Sequence, residues 1–100
     1  MNEVFLQWAK EHEKDLLERG IVSEIPDLSR EVLEKKLQNP CQVVYFYSKT
    51  HLGFVSVWKS GIMDMEILNA ENSNLEFYQH IDDVTKMNMD DILESFFKKM

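Results

Sequence analysis

The groups in this chain best suited to chemistry are three histidines (His12, His51, His80), one cysteine (Cys41) and two adjacent acid pairs (Asp82-Asp83 and Asp90-Asp91). A metal centre needs His, Cys or carboxylate ligands at spacings that one turn or one helix face can bring together, and none of the histidines has a partner at a recognised ligand spacing. Cys41 sits in the context Asn39-Pro40-Cys41-Gln42. A nucleophilic thiol needs an adjacent base or another activating neighbour, and this context supplies no such signature. General acid–base work by two carboxylates needs them apposed across a cleft, whereas neighbours in sequence at a helix start serve as caps and dipole partners. Three isolated glycines cannot make a phosphate-cradling loop. His12 falls on an apolar helical stripe, which reads as a satisfied core histidine. No catalytic residue, metal or cofactor is assigned, and the chain reads as a binding protein rather than an enzyme.

The stronger signal is the distribution of charge. Residues 1–60 carry eight basic side chains against nine acidic ones, while residues 61–100 carry three lysines against nine acids. Between Gly61 and Phe97 the one cation is Lys86, against Asp64, Glu66, Glu71, Glu76, Asp82, Asp83, Asp90, Asp91 and Glu94. An acidic end attracts basic partners and repels nucleic acid and anionic membrane surfaces, whose binding rests on Lys and Arg. A net charge of −7 also serves solubility.

One hundred residues, 44% of them hydrophobic and only five of them Gly or Pro, make one globular domain with a single core, residues 1–100. A lone cysteine cannot form an internal disulfide, which favours a reducing compartment. No charged-then-apolar leader opens the chain, and no apolar run nears the roughly 20 residues that span a bilayer. The expectation is a soluble cytoplasmic protein.

The elements that must position these groups are legible from periodicity. Phe5, Trp8, Ala9, His12 and Leu16 recur at helical spacing over 3–19, and Gly20 suits a left-handed stop. Residues 21–25 read as a short extended segment. Residues 29–38 are ambiguous, with Ser29 a possible cap for a short helix. From Gln42 the period becomes two: 42–47 as a central strand covered on both faces, 53–58 and 62–68 as a hairpin around Lys59-Ser60-Gly61, and 75–81 as a fourth strand. A last helix carries Met89, Ile92, Leu93, Phe96 and Met100 on one stripe. Asn88 is its expected cap with Asp91 in the reciprocal position, and Lys98 and Lys99 match its negative end. Met63, Met65, Met87 and Met89 are placed in the core. The fold class is α+β: an antiparallel sheet of about four strands with N-terminal and C-terminal helices packed on one face.

The hairpin loop sets a register. With Trp58 opposite Ile62, Ser56 faces Asp64 and Phe54 faces Glu66, while Val55 and Val57 meet Met63, Met65 and Ile67 on the other side. The second face is core. The first is either a solvated open sheet or a surface in which aromatic area and carboxylates grip a basic partner. The candidate partner-binding residues are Phe54, Trp58, Asp64, Glu66, Glu76, Asp82 and Asp83.

The segment Trp58-Lys-Ser-Gly-Ile-Met-Asp-Met-Glu-Ile-Leu68, a W-x-S-G-x-x-D-x-E pattern, together with the Phe5/Trp8 helix before it and the Ile92–Phe97 helix after it, resembles the TriTu family of immunity proteins. The resemblance spans most of the chain in element order and length. It implies a small type VI secretion-associated protein encoded beside an Rhs-type polymorphic toxin. The implied partner is the toxin's C-terminal ADP-ribosyltransferase domain, which modifies elongation factor Tu. It carries no binding residue over to this chain. Two alternatives stand beside it: another small acidic inhibitor or effector chaperone for a basic protein, and a small enzyme subunit, for which no convergent titratable cleft can be assembled.

Overall fold

A computed structural model describes residues 1–26 and 40–100. The short helix considered for 29–38 lies outside the described residues. Helix α1 (Asn2–Glu18) leads to strand β1 (Val22–Glu24), and strands β2 (Cys41–Tyr47), β3 (His51–Trp58), β4 (Met63–Asn69) and β5 (Leu75–Ile81) precede helix α2 (Met89–Phe97). The strands form one antiparallel sheet in the order β1-β2-β3-β4-β5, so each pairs with its neighbour in sequence.

The α+β architecture with both helices on one sheet face is as the periodicity predicts, with five strands where about four were expected. The fifth is the extended segment after α1, in which Val22, Ser23 and Glu24 pair with Tyr47, Phe46 and Tyr45. Three residues are too few to display alternation, so only the partner strand reveals them as a strand.

Phe5, Ala9 and Leu16 of α1 and Met89, Leu93, Phe96 and Phe97 of α2 bury against Val44, Phe46, Val55, Val57, Met63, Met65 and Ile67 of the sheet. At most a few per cent of each of these side chains remains exposed, so they supply most of the hydrophobic stabilisation. Polar contacts tie the two helices together: the Trp8 indole N–H donates to Asp90 Oδ1 at 3.1 Å, and Arg19 pairs with Glu94 at 3.0 Å. Among the described residues, no helix is long and apolar enough to cross a membrane.

The end of α1 follows its sequence. Gly20 adopts φ +82°, and the amides of Gly20 and Ile21 donate to the carbonyls of Leu17 and Leu16 at 3.0 and 2.8 Å. This double closure is a Schellman motif, and it brings buried Ile21 back to buried Leu16.

The start of α2 departs from expectation. Asn88 has helical backbone angles and makes no cap bond. Its Oδ1 instead accepts from the Thr85 amide at 2.7 Å, and its own amide donates to Thr85 Oγ1 at 3.3 Å. The reciprocal pair of a capping box is therefore Thr85 and Asn88, three residues earlier than Asn88 and Asp91.

Three further expectations are corrected. Strand β2 is fully covered on one face only: Val44 and Phe46 are buried, while Val43, Tyr45 and Tyr47 are half-buried. Met87 lies in the turn before α2 and is 92% exposed, because the capping turn carries it outside the helical stripe. His12 is half-buried rather than core, since it lies at the margin of the α1–sheet contact. Its ring stacks on Trp8 with centroids 4.1 Å apart, Nδ1 donates to the Trp8 carbonyl at 2.8 Å, and Nε2 faces Asp90 at 3.8 Å.

Gly53 lies where the C-terminal segment crosses the sheet. A Cβ there would stand 2.9 Å from Phe96 Cζ and 3.0 Å from Met100 Sδ. Phe96 packs against Phe46, Phe77 and Phe97 and has little room to yield. Gly53→Val should therefore destabilise the protein by about 1–3 kcal/mol despite its favourable strand propensity, as measured by urea denaturation.

Candidate functional site: the open sheet face

Pairing between β3 and β4 places Ser56 opposite Asp64 and Phe54 opposite Glu66, and the Trp58 amide donates to the Ile62 carbonyl at 2.9 Å. This is the register that the hairpin loop predicts. Gly61 supplies the left-handed residue with φ +93°. Because side chains alternate, burying Val55, Val57, Met63 and Met65 forces Phe54, Ser56, Trp58, Asp64 and Glu66 onto the face opposite α1 and α2.

The neighbouring strands extend this face in rows. Glu24, Tyr45, Phe54, Glu66 and Tyr78 align across all five strands, and Val43, Ser56, Asp64 and His80 form a parallel row beside them. Cys41 lies opposite Trp58. Tyr45 and Phe54 meet edge to face with centroids 5.3 Å apart, a favoured quadrupole arrangement. The result is an aromatic centre flanked by carboxylates, its β2–β4 side chains half-buried and its β5 side chains exposed.

His80 organises one end of the face. Its Nδ1 lies 2.5 Å from Asp64 Oδ1 and its Nε2 lies 2.6 Å from Asp82 Oδ1, while the Tyr78 hydroxyl donates to the same Asp64 oxygen at 3.2 Å. Hydrogen bonds to Asp64 first and Asp82 second raise the His80 pKa above the ordinary histidine value. The Tyr78 phenol is also pushed up, by lost hydration and then by the Asp64 charge. Burial likewise pushes the Cys41 thiol up, the opposite of the depression that activates a nucleophilic thiolate.

The seven sequence-predicted residues do not form one patch. Phe54, Trp58, Asp64 and Glu66 share the open face, and Asp82 joins them through His80. Glu76 stands toward the opposite end of β5, where its Oε1 meets His51 Nε2 at 3.0 Å. Hydrogen bonds from the Asn69 side chain and then from His51 lower its pKa. Asp83 lies exposed beyond the end of β5, and its carbonyl accepts a bond from the Asn88 side chain.

Sequence reasoning missed Tyr45, Tyr78 and His80. The alternation of LEFYQHI does place Tyr78 and His80 on one face. Which face, and opposite which residues, depends on the irregularity at Ile67/Leu68, which shifts the β4–β5 register and has no sequence marker.

On the helical side, an open cavity of about 430 Å³ lies between α1 and the start of α2, lined by Val4, Trp8, Lys86 and Met89 among others. It mixes apolar walls with Glu3, Glu11 and Lys86 and brings together none of the predicted residues.

A family model described as "Immunity protein TriTu" matches residues 3–99. The chain belongs to the TriTu family of immunity proteins. No curated protein and no solved structure matches it. The match takes in both helices and the whole sheet, so the open face described above is built entirely from TriTu family sequence. An immunity protein has a toxin as its partner, and a rigid sheet with one face packed and the other presenting aromatic and acidic side chains can meet such a partner without reorganising its core.

The two faces should separate in mutagenesis. Glu66→Gln, on the open face, should leave stability within about 0.5 kcal/mol of wild type. Val55→Ala, fully buried on the opposite side of the adjacent strand, should cost about 1–3 kcal/mol. Paired thermal denaturation curves read both.

Proposed function

We propose that this TriTu family protein binds and inhibits the C-terminal ADP-ribosyltransferase domain of a cognate Rhs-type toxin. It acts in the cytoplasm, as a stoichiometric inhibitor without catalysis of its own. The family match over residues 3–99 carries this reading. Two physical features support it: the acid-rich second half of the chain and the aromatic–carboxylate face on a sheet whose other side packs against α1 and α2.

The mechanism is occlusion. The open face docks over the cleft in which the toxin binds its nucleotide or its target, elongation factor Tu. Trp58 and Phe54 contribute desolvated contact area near the centre. Asp64 and Glu66 accept hydrogen bonds from toxin arginines or lysines. Asp82 and Asp83, at the rim, together with the net charge of −7, accelerate encounter with a basic surface. Glu76, held by His51, adds negative potential at the far end of β5.

The direct test is co-purification with the C-terminal domain of the adjacent Rhs-type toxin, followed by an ADP-ribosylation assay on elongation factor Tu. The expected result is a stoichiometric complex in which transfer is abolished, and a toxin that remains fully active beside equimolar protein would refute the reading.

Two variants map the face. Trp58→Ala should raise the dissociation rate by about tenfold or more while leaving the association rate nearly unchanged, as expected for a central aromatic anchor. Asp82→Asn with Asp83→Asn should mainly slow association at low salt, with the difference fading as ionic strength rises. Surface plasmon resonance across a salt series reads both, and wild-type kinetics in both variants would place the interface elsewhere.

A further inference from the structure

His80 stands between two carboxylates that belong to different parts of the chain. Asp64 is on β4, inside the sheet, while Asp82 follows β5, where the chain leaves the sheet on its way to α2. The ring nitrogens lie 2.5 Å from one carboxylate oxygen and 2.6 Å from the other. An ionised carboxylate can only accept hydrogen bonds, and a neutral imidazole donates from only one nitrogen. Both contacts therefore coexist only when the ring carries both protons. Removing one proton turns a charge-assisted hydrogen bond into a lone pair facing a negative oxygen, and it leaves the two carboxylates with no cation between them.

Among the described residues, the clasp sits at a point with few other ties, and strand β5 is an edge strand paired with β4 alone. After Ile81, the next backbone tie of this segment to the hairpin is the Val84 amide on the Gly61 carbonyl at 2.9 Å. Among the described residues, the groups that face His80 are few. From β4 these are Asp64 and, one pair along, Glu66; from β5 the Tyr78 hydroxyl, which shares Asp64 Oδ1; and beyond the strand Asp82. On β3, Ser56 is uncharged, and both helices pack on the opposite face of the sheet. Among the described residues, no lysine or arginine pairs with Asp64 or Asp82.

We propose that His80 is a proton-operated clasp, which when doubly protonated locks the end of edge strand β5 and the chain leaving it onto β4, and which releases them when it loses a proton. The device operates in the free protein, whatever the open face binds. Its sign follows from the direction of the His80 shift. A histidine titrating higher in the folded protein than in the unfolded chain contributes stability that is fully present below the ordinary histidine range and disappears as pH rises through the raised value. Release also makes the open face more negative, since the imidazolium charge no longer offsets Asp64 and Asp82.

The test uses the purified full chain. Nuclear magnetic resonance of the His80 ring should show both nitrogens protonated below its titration, and a titration above that of a free histidine. Asp82→Asn should lower the titration while the fold is retained. Amide exchange, corrected for its intrinsic pH dependence, should show residues 78–83 losing protection several-fold as pH rises through the His80 titration. His80→Gln, with no proton to lose at this position, should remove that step. A His80 titration unmoved by Asp82→Asn would overturn the clasp, as would an equal pH step in His80→Gln.

Discussion

One constraint organises this molecule: α1 and α2 both bury the same side of a five-stranded sheet. Strand side chains alternate strictly, so each apolar residue turned toward the helices commits its neighbours to the other surface. The β3–β4 hairpin is where this commitment is strongest. Val55, Val57, Met63, Met65 and Ile67 are almost fully excluded from water. A slip of one residue would exchange them for Phe54, Ser56, Asp64 and Glu66, placing two carboxylates in the core. The cost of burying unpaired charge makes the register unique, and Gly61 supplies a turn that can meet it.

The helices complete the buried side and lean on each other as well as on the sheet. Phe97 stacks against Trp8 and meets Phe46, while Phe96 touches Phe46 and Phe77, so aromatic contacts join α1, α2, β2 and β5. Gly53 leaves space for this cluster at the sheet surface. At the helix margin, Trp8, His12 and Asp90 form a polar fringe that satisfies the indole N–H and keeps the acid at the start of α2 near the positive end of its dipole.

The acidic half of the chain is less exposed in its effect than its composition suggests. Histidines answer several of the acids: His51 meets Glu76, and His80 meets both Asp64 and Asp82. The His80 contacts are adjustable, unlike those of a lysine or arginine, because an imidazole can lose its proton. The clasp proposed at His80 thereby gives one end of the face a tie that can be withdrawn. For an immunity protein this combines rigidity in the free state with charge available for encounter.

The sequence by itself determined the helix–sheet–helix order, the stripe of each helix, the Gly20 stop, the β3–β4 register and the face on which Phe54, Trp58, Asp64 and Glu66 appear. These depend on local period and turn chemistry, which neighbouring residues specify among themselves. Tertiary structure alone decided that Val22–Glu24 is a strand, that Thr85 rather than Asp91 completes the capping pair with Asn88, and that Met87 faces solvent. It also decided that His80, unremarkable in the sequence, lies between Asp64 and Asp82, whereas Glu76 turns to His51. Each of these outcomes depends on a partner distant in sequence or on how a turn closes, and in β5 on an irregular register that no residue type announces. Alternation tells a side chain which side of the strand it occupies, but only the packed sheet tells it what it will meet there.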